Sequence, residues 1–485
     1  PRNFEQDSDV LDIIDLIEDR INPDLFFETN YKTQGMSVLL KTAFDRFKGK
    51  SQKKLIKLTQ SMGGGKTHNM ISLGLLAKHP QYRDQIIGDH YKDDGLGKVK
   101  VLAFTGRESN IPNGLWGEIA RQLNKEAEFK SLWEGGIRAP GPSEWINMLK
   151  DGPKLILLDE LPPYLENAKT IAIGSGDLSI VTTTALANLF NAVNRPELDN
   201  VLIVISDLKA TYLSGTRLLQ SSFANLEGEV SRFALDIQPV GSSSDEIYDI
   251  LRSKLFAKLP DENEVNDIAI AYRAKIEEAR NLGFTNYNPD KIFTGIKESY
   301  PFHPSIRELY ERFRENQNFQ QTRDLIRLMR KVVTSMWETG LAEKRFLINA
   351  FDIDLNEPSM NTFITQIKPS LGNAISKDVA NEGRATAEVI DAQYKIEFIS
   401  EVAKLLLVAS LADIPNALLG LAQHELVGYL AAPDKDITGY RNAFEEFLGQ
   451  AWYVHSDKDG RLHFQNVRNL IAELNCLVDG YNDDN

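Results

Sequence analysis

The sequence predicts an α/β chain in which a parallel sheet, covered by helices on both faces, is followed by a helical second half. Three observations carry that expectation. Strand signals, among them the unbroken apolar runs Leu155–Leu158 and Val201–Ile205, alternate with helical patterns between Lys53 and Val240. Three successive glycines, Gly63-Gly64-Gly65, separate the first of these strand signals from a helix. Beyond Gly241-Ser242-Ser243-Ser244 helix-spaced apolar residues take over. Strands that are apolar at every position are buried on both faces, which is the parallel arrangement, and such sheets hold their sites at the carboxyl ends of the strands.

Residues 1–52 form a lead-in segment, with Val10, Ile13, Ile14 and Ile17 spaced as one helix face and a second helix over Met36–Phe47. The core spans 53–240. Its strands are expected at Leu55–Leu58, Val99–Thr105, Leu155–Leu158, Val201–Ile205 and Phe233–Ile237, with helices at Asn69–Lys78 and around Leu115–Leu123. A helical lid occupies 241–345. It opens with Ile247, Ile250, Leu251, Leu255 and Leu259 on one face, and further helices are expected near 262–281, 304–314 and 321–338. Residues 346–485 form a C-terminal region with helices near 393–411, 416–430 and 437–449. Two short strand-like runs then flank the turn Asp459-Gly460, a hairpin signal. Helices followed by a hairpin suggest a winged helix at about 413–476. Glu445 and Glu446 give its outer helix the wrong charge for reading DNA, so a protein contact is the better expectation there.

Composition narrows the function classes. Of the 485 residues 42% are hydrophobic and 26% charged, ordinary for a globular chain. The single cysteine, Cys476, rules out an internal disulfide and cysteine-built zinc sites, and fits a cytoplasmic setting. The seven histidines show no zinc-ligand spacing. His303, in Tyr300-Pro301-Phe302-His303-Pro304, is expected to cap a helix. No basic-then-apolar leader is visible, and the apolar stretch Leu405–Ala412 falls far short of the roughly 20 residues a bilayer requires. A net charge of −14 argues against broad duplex binding, since nucleic-acid surfaces carry the opposite sign.

The chemistry lies in two motifs. A triphosphate needs several backbone N–H groups converging at short radius, and glycines between a strand and a helix provide them without obstruction. Met62-Gly63-Gly64-Gly65-Lys66-Thr67-His68 is therefore the expected nucleotide-binding run. Lys66 would reach the β- and γ-phosphates, and the Thr67 hydroxyl would ligate magnesium. His68, inside the first helical turn, fits packing or hydrogen bonding. Gln60 stands where the pattern ordinarily begins with glycine, so the first turn of the loop should be shaped differently. The second motif is Leu155-Ile156-Leu157-Leu158-Asp159-Glu160, a buried strand delivering two carboxylates to its end. Asp159 would hold Mg2+ opposite Thr67, and Glu160 would orient and deprotonate the attacking water.

Three weaker features complete the pattern. Ser206-Asp207 end the fourth strand and either help place the water or are an ordinary polar strand end. Arg232, in Ser231-Arg232 before the fifth strand, either reaches a neighbouring subunit's phosphates or makes a surface salt bridge. Arg323, in Gln321-Thr322-Arg323-Asp324, would bend over the phosphates from the lid, with Arg327 one turn later as its competitor.

Taken together, the order of motifs resembles that of the AAA+ ATPases, a class of P-loop NTPase. The resemblance implies an ATPase with ATP and Mg2+ as cofactors. It would make Ser206 or Asp207 a sensor-one residue, Arg232 an arginine finger and Arg323 a sensor-two arginine, although Phe233 replaces the cysteine of the Ser-Arg-Cys element. Phe26-Phe27 through Tyr31-Lys32-Thr33-Gln34-Gly35-Met36, the glycine run, Trp116-Gly117-Glu118-Ile119-Ala120 and Asn318-Phe319-Gln320-Gln321-Thr322-Arg323 also resemble an uncharacterised family of large AAA+-like prokaryotic ATPases. In that family the Gln60 position need not be glycine. Its members are often encoded beside DNA methyltransferase-like and helicase-like proteins in phage-defence regions. The resemblance implies a homo-oligomer that remodels or licenses a DNA-linked partner complex, with any DNA contact indirect, no membrane association, and a longer parent protein. The alternatives are a slowly hydrolysing nucleotide-gated switch and, on weaker grounds, a DNA translocase.

Overall fold

The computed structural model describes residues 11–60, 63–88, 95–108, 111–206, 228, 230–241, 246–314, 316, 318–413, 419–436, 441–470 and 474. Two compact units divide after Glu246. The first contains a five-stranded, wholly parallel sheet built from β1 Leu55–Leu58, β2 Lys100–Thr105, β3 Lys154–Asp159, β6 Val201–Ser206 and β7 Ala234–Ile237, in the order β2-β3-β6-β1-β7. A small antiparallel pair, β4 Ala172–Ile173 and β5 Gly176–Asp177, stands between β3 and β6 in sequence.

Side chains alternate cleanly across this sheet. Leu55, Leu102, Phe104, Ile156, Leu158, Ile203 and Ile205 enter one core, with the helices Gly114–Gln122, Pro142–Leu149, Leu161–Ala168 and Leu178–Ala192. Ile56, Leu58, Val101, Ala103, Leu155, Leu157, Leu202 and Val204 enter the other. Covering both faces explains why the central runs Leu155–Leu158 and Val201–Ile205 are apolar without a break.

The lead-in segment is part of that second core. Its helices Ile13–Ile17, Pro23–Glu28 and Gln34–Phe47 bury Ile13, Leu16, Phe26, Phe27, Met36, Leu39, Leu40 and Phe44 against it. The first helix is shorter than its apolar spacing suggested. Asp12 caps it, Ile13 and Leu16 are its buried residues, and Ile14 and Ile17 are only half-buried. Val10 lies outside the described residues. The fifth core strand begins at Ala234, because Phe233 still belongs to the helical turn before it and is exposed.

The second unit is mainly helical. Its opening helix, Glu246–Leu255, buries Ile247, Ile250, Leu251 and Leu255, while Leu259 falls beyond its end. The helices Glu262–Asn281, Pro289–Ser299, Ser305–Phe313 and Gln321–Glu338 follow. The single helix expected near 393–411 is two, Thr386–Tyr394 and Phe398–Ala409, interrupted where Lys395 adopts φ 56°. Gln423–Leu430 and Arg441–Gln450 precede a hairpin of β8 Val454–Ser456 and β9 Leu462–Phe464. Gly460 adopts φ 73° in its turn, as the Asp-Gly signal requires. Among the described residues no helix is long and apolar enough to cross a membrane.

Candidate active site

The carboxyl ends of β1, β6 and β3 gather most of the residues singled out by their chemistry. The chain leaves β1 and enters the helix Lys66–Lys78 through a loop in which Gly63 and Gly65 have φ 79° and 86°. Side chains rarely tolerate that region, and glycine does. Gly64 meets a different demand. A Cβ there would stand 2.4 Å from Gln60 Cγ.

Gln60 thus fills the space over the loop. Its Nε2 donates to the Val240 carbonyl at 3.3 Å and its Oε1 accepts the Val240 N–H at 3.1 Å, joining the end of β1 to the chain beyond β7. That is the physical account of the glutamine in the loop's first position. It serves as a strut where a bare turn was the ordinary expectation. The Lys66 ammonium donates to the Gln60 carbonyl.

Across the sheet, Thr67 Oγ1 donates to Asp159 Oδ2 at 2.6 Å. Asp159 is 4% exposed. Burial holds its carboxyl above the ordinary carboxylate range, and the charge of Glu160 adds to this, while the Thr67 and Ser206 hydroxyls and Lys66 pull the other way. Ser206, buried at the tip of β6, accepts the Glu160 N–H at 3.0 Å. Lys66 and Glu160 therefore share one end of the sheet. They do not lie on neighbouring strands, because β6 stands between β1 and β3 and contributes Ser206 to the gap. Glu160 adopts φ 47°, a backbone conformation uncommon for a non-glycine residue and one that concentrates at functional sites.

One residue escaped the sequence reasoning. Arg107 grips Glu160 with both arms, through Nη2 to Oε1 at 2.8 Å and through Nε to Oε2. Gly106 makes this approach possible. Its N–H donates to the Asp159 carbonyl at 2.9 Å, and a Cβ there would lie 1.7 Å from the Glu160 carbonyl oxygen. The signal was Gly106-Arg107 directly after β2, but it acquires meaning only once β2 is known to lie beside β3.

The remaining residues are placed as follows. His68 stacks on Phe26 with ring centroids 4.7 Å apart and shares a 2.6 Å hydrogen bond with Asn30 Oδ1, tying the loop's helix to the lead-in segment. Arg232 is exposed two residues before β7, at the amino-terminal end of the sheet, and so is not gathered with Lys66 in its own chain. Arg323 stands in the second unit, half-buried in the first turn of Gln321–Glu338, where Nη1 donates to Gln320 Oε1 at 3.3 Å. Arg327 pairs there with Asp324. His303 is fully buried and accepts the Ser305 N–H in the first turn of Ser305–Phe313, and burial pushes its imidazole down to about 4. Met62 and Asp207 lie outside the described residues.

A parallel sheet of this order, entered through a glycine loop that opens a helix, with a buried Asp-Glu strand end beside it, defines a P-loop NTPase core of the AAA+-like kind, joined to a helical C-terminal region. The sequence matches the DUF499 N-terminal domain over residues 6–95 and the DUF499 second domain over residues 242–408, so both are present in order. No curated protein matches the chain by sequence. Among solved structures, one of the ORC2 protein of Aeropyrum pernix in ADPNP and ADP complexes is similar at 14% identity and a TM-score of 0.34, covering 93% of this chain and 95% of that one. So loose a likeness adds nothing to the assignment, which rests on the sheet and the loop.

Proposed function

We propose that this chain binds ATP with Mg2+ and hydrolyses it, using the cycle to remodel or license a partner complex. The observation that carries the reading is the 2.6 Å hydrogen bond between the Thr67 hydroxyl and the Asp159 carboxylate. It joins the two oxygen ligands that phosphoryl-transfer sites use for magnesium, at the mouth of a glycine loop that opens a helix. Thr67 and Asp159 would hold a Mg2+ there, which would supply charge neutralisation for the phosphates.

The chain's own residues do the rest. The loop amides and the amino end of Lys66–Lys78 receive the phosphates, and Lys66 exchanges the Gln60 carbonyl for a phosphate oxygen. Thr67 and Asp159 would hold the metal in place of their mutual hydrogen bond. Asp159 must then be ionised, and a nearby cation would offset the burial that now favours its proton. Ser206 keeps the Glu160 backbone in position through that residue's N–H. The Glu160 carboxylate takes the proton of the attacking water once Arg107 releases it. Arg232, at the opposite end of the sheet, serves either a neighbouring subunit's site, which would make an oligomer part of the proposal, or a surface salt bridge. The resemblance noted for the sequence supports a DNA-linked, phage-defence setting with a methyltransferase or helicase partner.

A second reading is favoured by one specific contact. With Glu160 held by both arms of Arg107, the base is engaged, and a nucleotide-gated switch that turns over slowly fits that state. Phosphate release measured against protein concentration, with and without DNA, tests both. Turnover that climbs with concentration supports the assembled ATPase, and uniformly slow turnover supports the switch. Glu160→Gln should retain ATP binding and lower turnover by roughly 10²–10⁴; unchanged turnover would remove the residue from its role.

A further inference from the structure

The strand β2 is an edge of the sheet, paired with another described strand on one side only, β3. The Lys100 amide donates to Pro153 and the Gly106 amide to Asp159, so the even-numbered amides of this strand face β3 and the odd-numbered ones face outward. Two of the outward positions are already occupied. The Val99 N–H donates to the Ala77 carbonyl at 2.9 Å. At Ala103 the Gln122 side chain takes both backbone groups, accepting the N–H at 2.9 Å and donating to the carbonyl at 2.8 Å. Between them Val101 turns its own N–H and C=O outward; its side chain is buried in the core and the residue as a whole is 6% exposed, where it borders a cavity of about 750 Å³. The Gln122 amide beside it demonstrates how a peptide-like group docks on this edge.

The charge around the opening is one-sided. Lys78, Lys98, Lys100 and Arg121 line it, against a single acidic residue, Asp19, among the described residues. Lys78 is paired with Asp19 and Arg121 with Glu118, while Lys98 and Lys100 are exposed and have no ion-pair partner among the described residues. Burial, together with the charges of Lys78 and Lys98, holds the His79 imidazole at the rim below its ordinary value, against an opposing pull from Asp19. Ile17 and Ile21 supply an apolar wall. In a chain of net charge −14 this is a local reversal of sign. It lies at the amino-terminal end of the sheet, away from the phosphate loop.

From this combination we infer that the groove along β2 docks an extended acidic segment of a partner protein. The segment pairs its backbone with Val101, as strand-adding ligands do on exposed sheet edges. Alternate carboxylates meet Lys98 and Lys100, and the intervening apolar side chains lie on Ile17 and Ile21. Exposed lysines on a free edge also discourage non-specific strand pairing, so the groove selects for charge.

The test uses the full chain and two labelled, acetylated nonapeptides, one alternating valine and glutamate and the other alternating valine and glutamine. Fluorescence polarisation should show the glutamate peptide binding, more weakly as salt rises. The Lys98→Glu, Lys100→Glu double variant should bind it roughly tenfold less tightly or worse, two exposed ion pairs having been reversed. Amide hydrogen exchange on the unmodified chain supplies a readout independent of the variant's folding. The peptide should slow exchange at Val101 and leave Leu102, already paired to β3, unchanged. Absence of binding, equal affinity for the glutamine peptide, or an unprotected Val101 would overturn the inference. An oligothymidylate that bound through the same lysines without protecting Val101 would also overturn it, and would assign the groove to nucleic acid.

Discussion

If Arg107 restrains Glu160, removing the guanidinium should raise basal turnover. In Arg107→Ala the two hydrogen bonds to the carboxylate disappear, and little packing goes with them because the arginine side chain is 52% exposed. Glu160 is 31% exposed, so the pair is partly screened by water and its bidentate geometry sets it near the top of the range for surface ion pairs, about 1 kcal/mol. Releasing the base should therefore speed hydrolysis by roughly fivefold, at about 1.4 kcal/mol per tenfold, and lower global stability by no more than about 1 kcal/mol. Steady-state phosphate release at saturating Mg-ATP gives the rate, and a thermal melt confirms that the fold is intact. The gain should vanish in an Arg107→Ala, Glu160→Gln double variant, since there is then no carboxylate to release. A tenfold loss of turnover in a well-folded Arg107→Ala protein would refute the reasoning, because it would mean that the guanidinium contributes to the reaction itself.

Asp159→Asn should abolish hydrolysis yet make the nucleotide-free protein more stable by on the order of 1 kcal/mol at neutral pH, because it removes an ionisable group from a buried site. The folded state holds the Asp159 proton more tightly than the unfolded state. Its contribution to stability is thus present in full below the unfolded value and is lost as pH rises through the folded one, so melting curves of the two proteins should converge as pH falls toward the ordinary carboxylate range near ~4. In Gly64→Ala the new Cβ must displace Gln60, breaking both hydrogen bonds to Val240 and costing about 1–2 kcal/mol; chemical denaturation and nucleotide titration should both register the change, and an unaltered midpoint would contradict the strut. Arg232→Ala should spare nucleotide affinity and suppress the rise of activity with protein concentration, by up to roughly 10³-fold if it acts as a finger in trans; activity per subunit that never varies with concentration in the parent chain would leave that role without support.

The sequence by itself determined the parallel sheet, because the central strand runs Leu155–Leu158 and Val201–Ile205 are apolar without a break and only coverage on both faces accounts for that. It also determined the order of loop, Lys66-Thr67 and Asp159-Glu160, because glycine tolerance and strand-end carboxylates are local properties. It was less exact where competition between neighbours decides the outcome. The lead-in helix stops after Ile17 and the 393–411 pattern breaks at Lys395, where helix spacing continues but the backbone turns. Only the tertiary structure decided that β6 lies between β1 and β3, that Ser206 meets the Glu160 amide, and that Gln60 braces Val240 across 180 residues of chain. It alone brought Arg107 to Glu160 and placed Val101 on the strand at the sheet's edge. The physical reason is the same in each case. Strand order is set by which apolar faces can be buried together, and no spacing along the polypeptide records which strand will be whose neighbour.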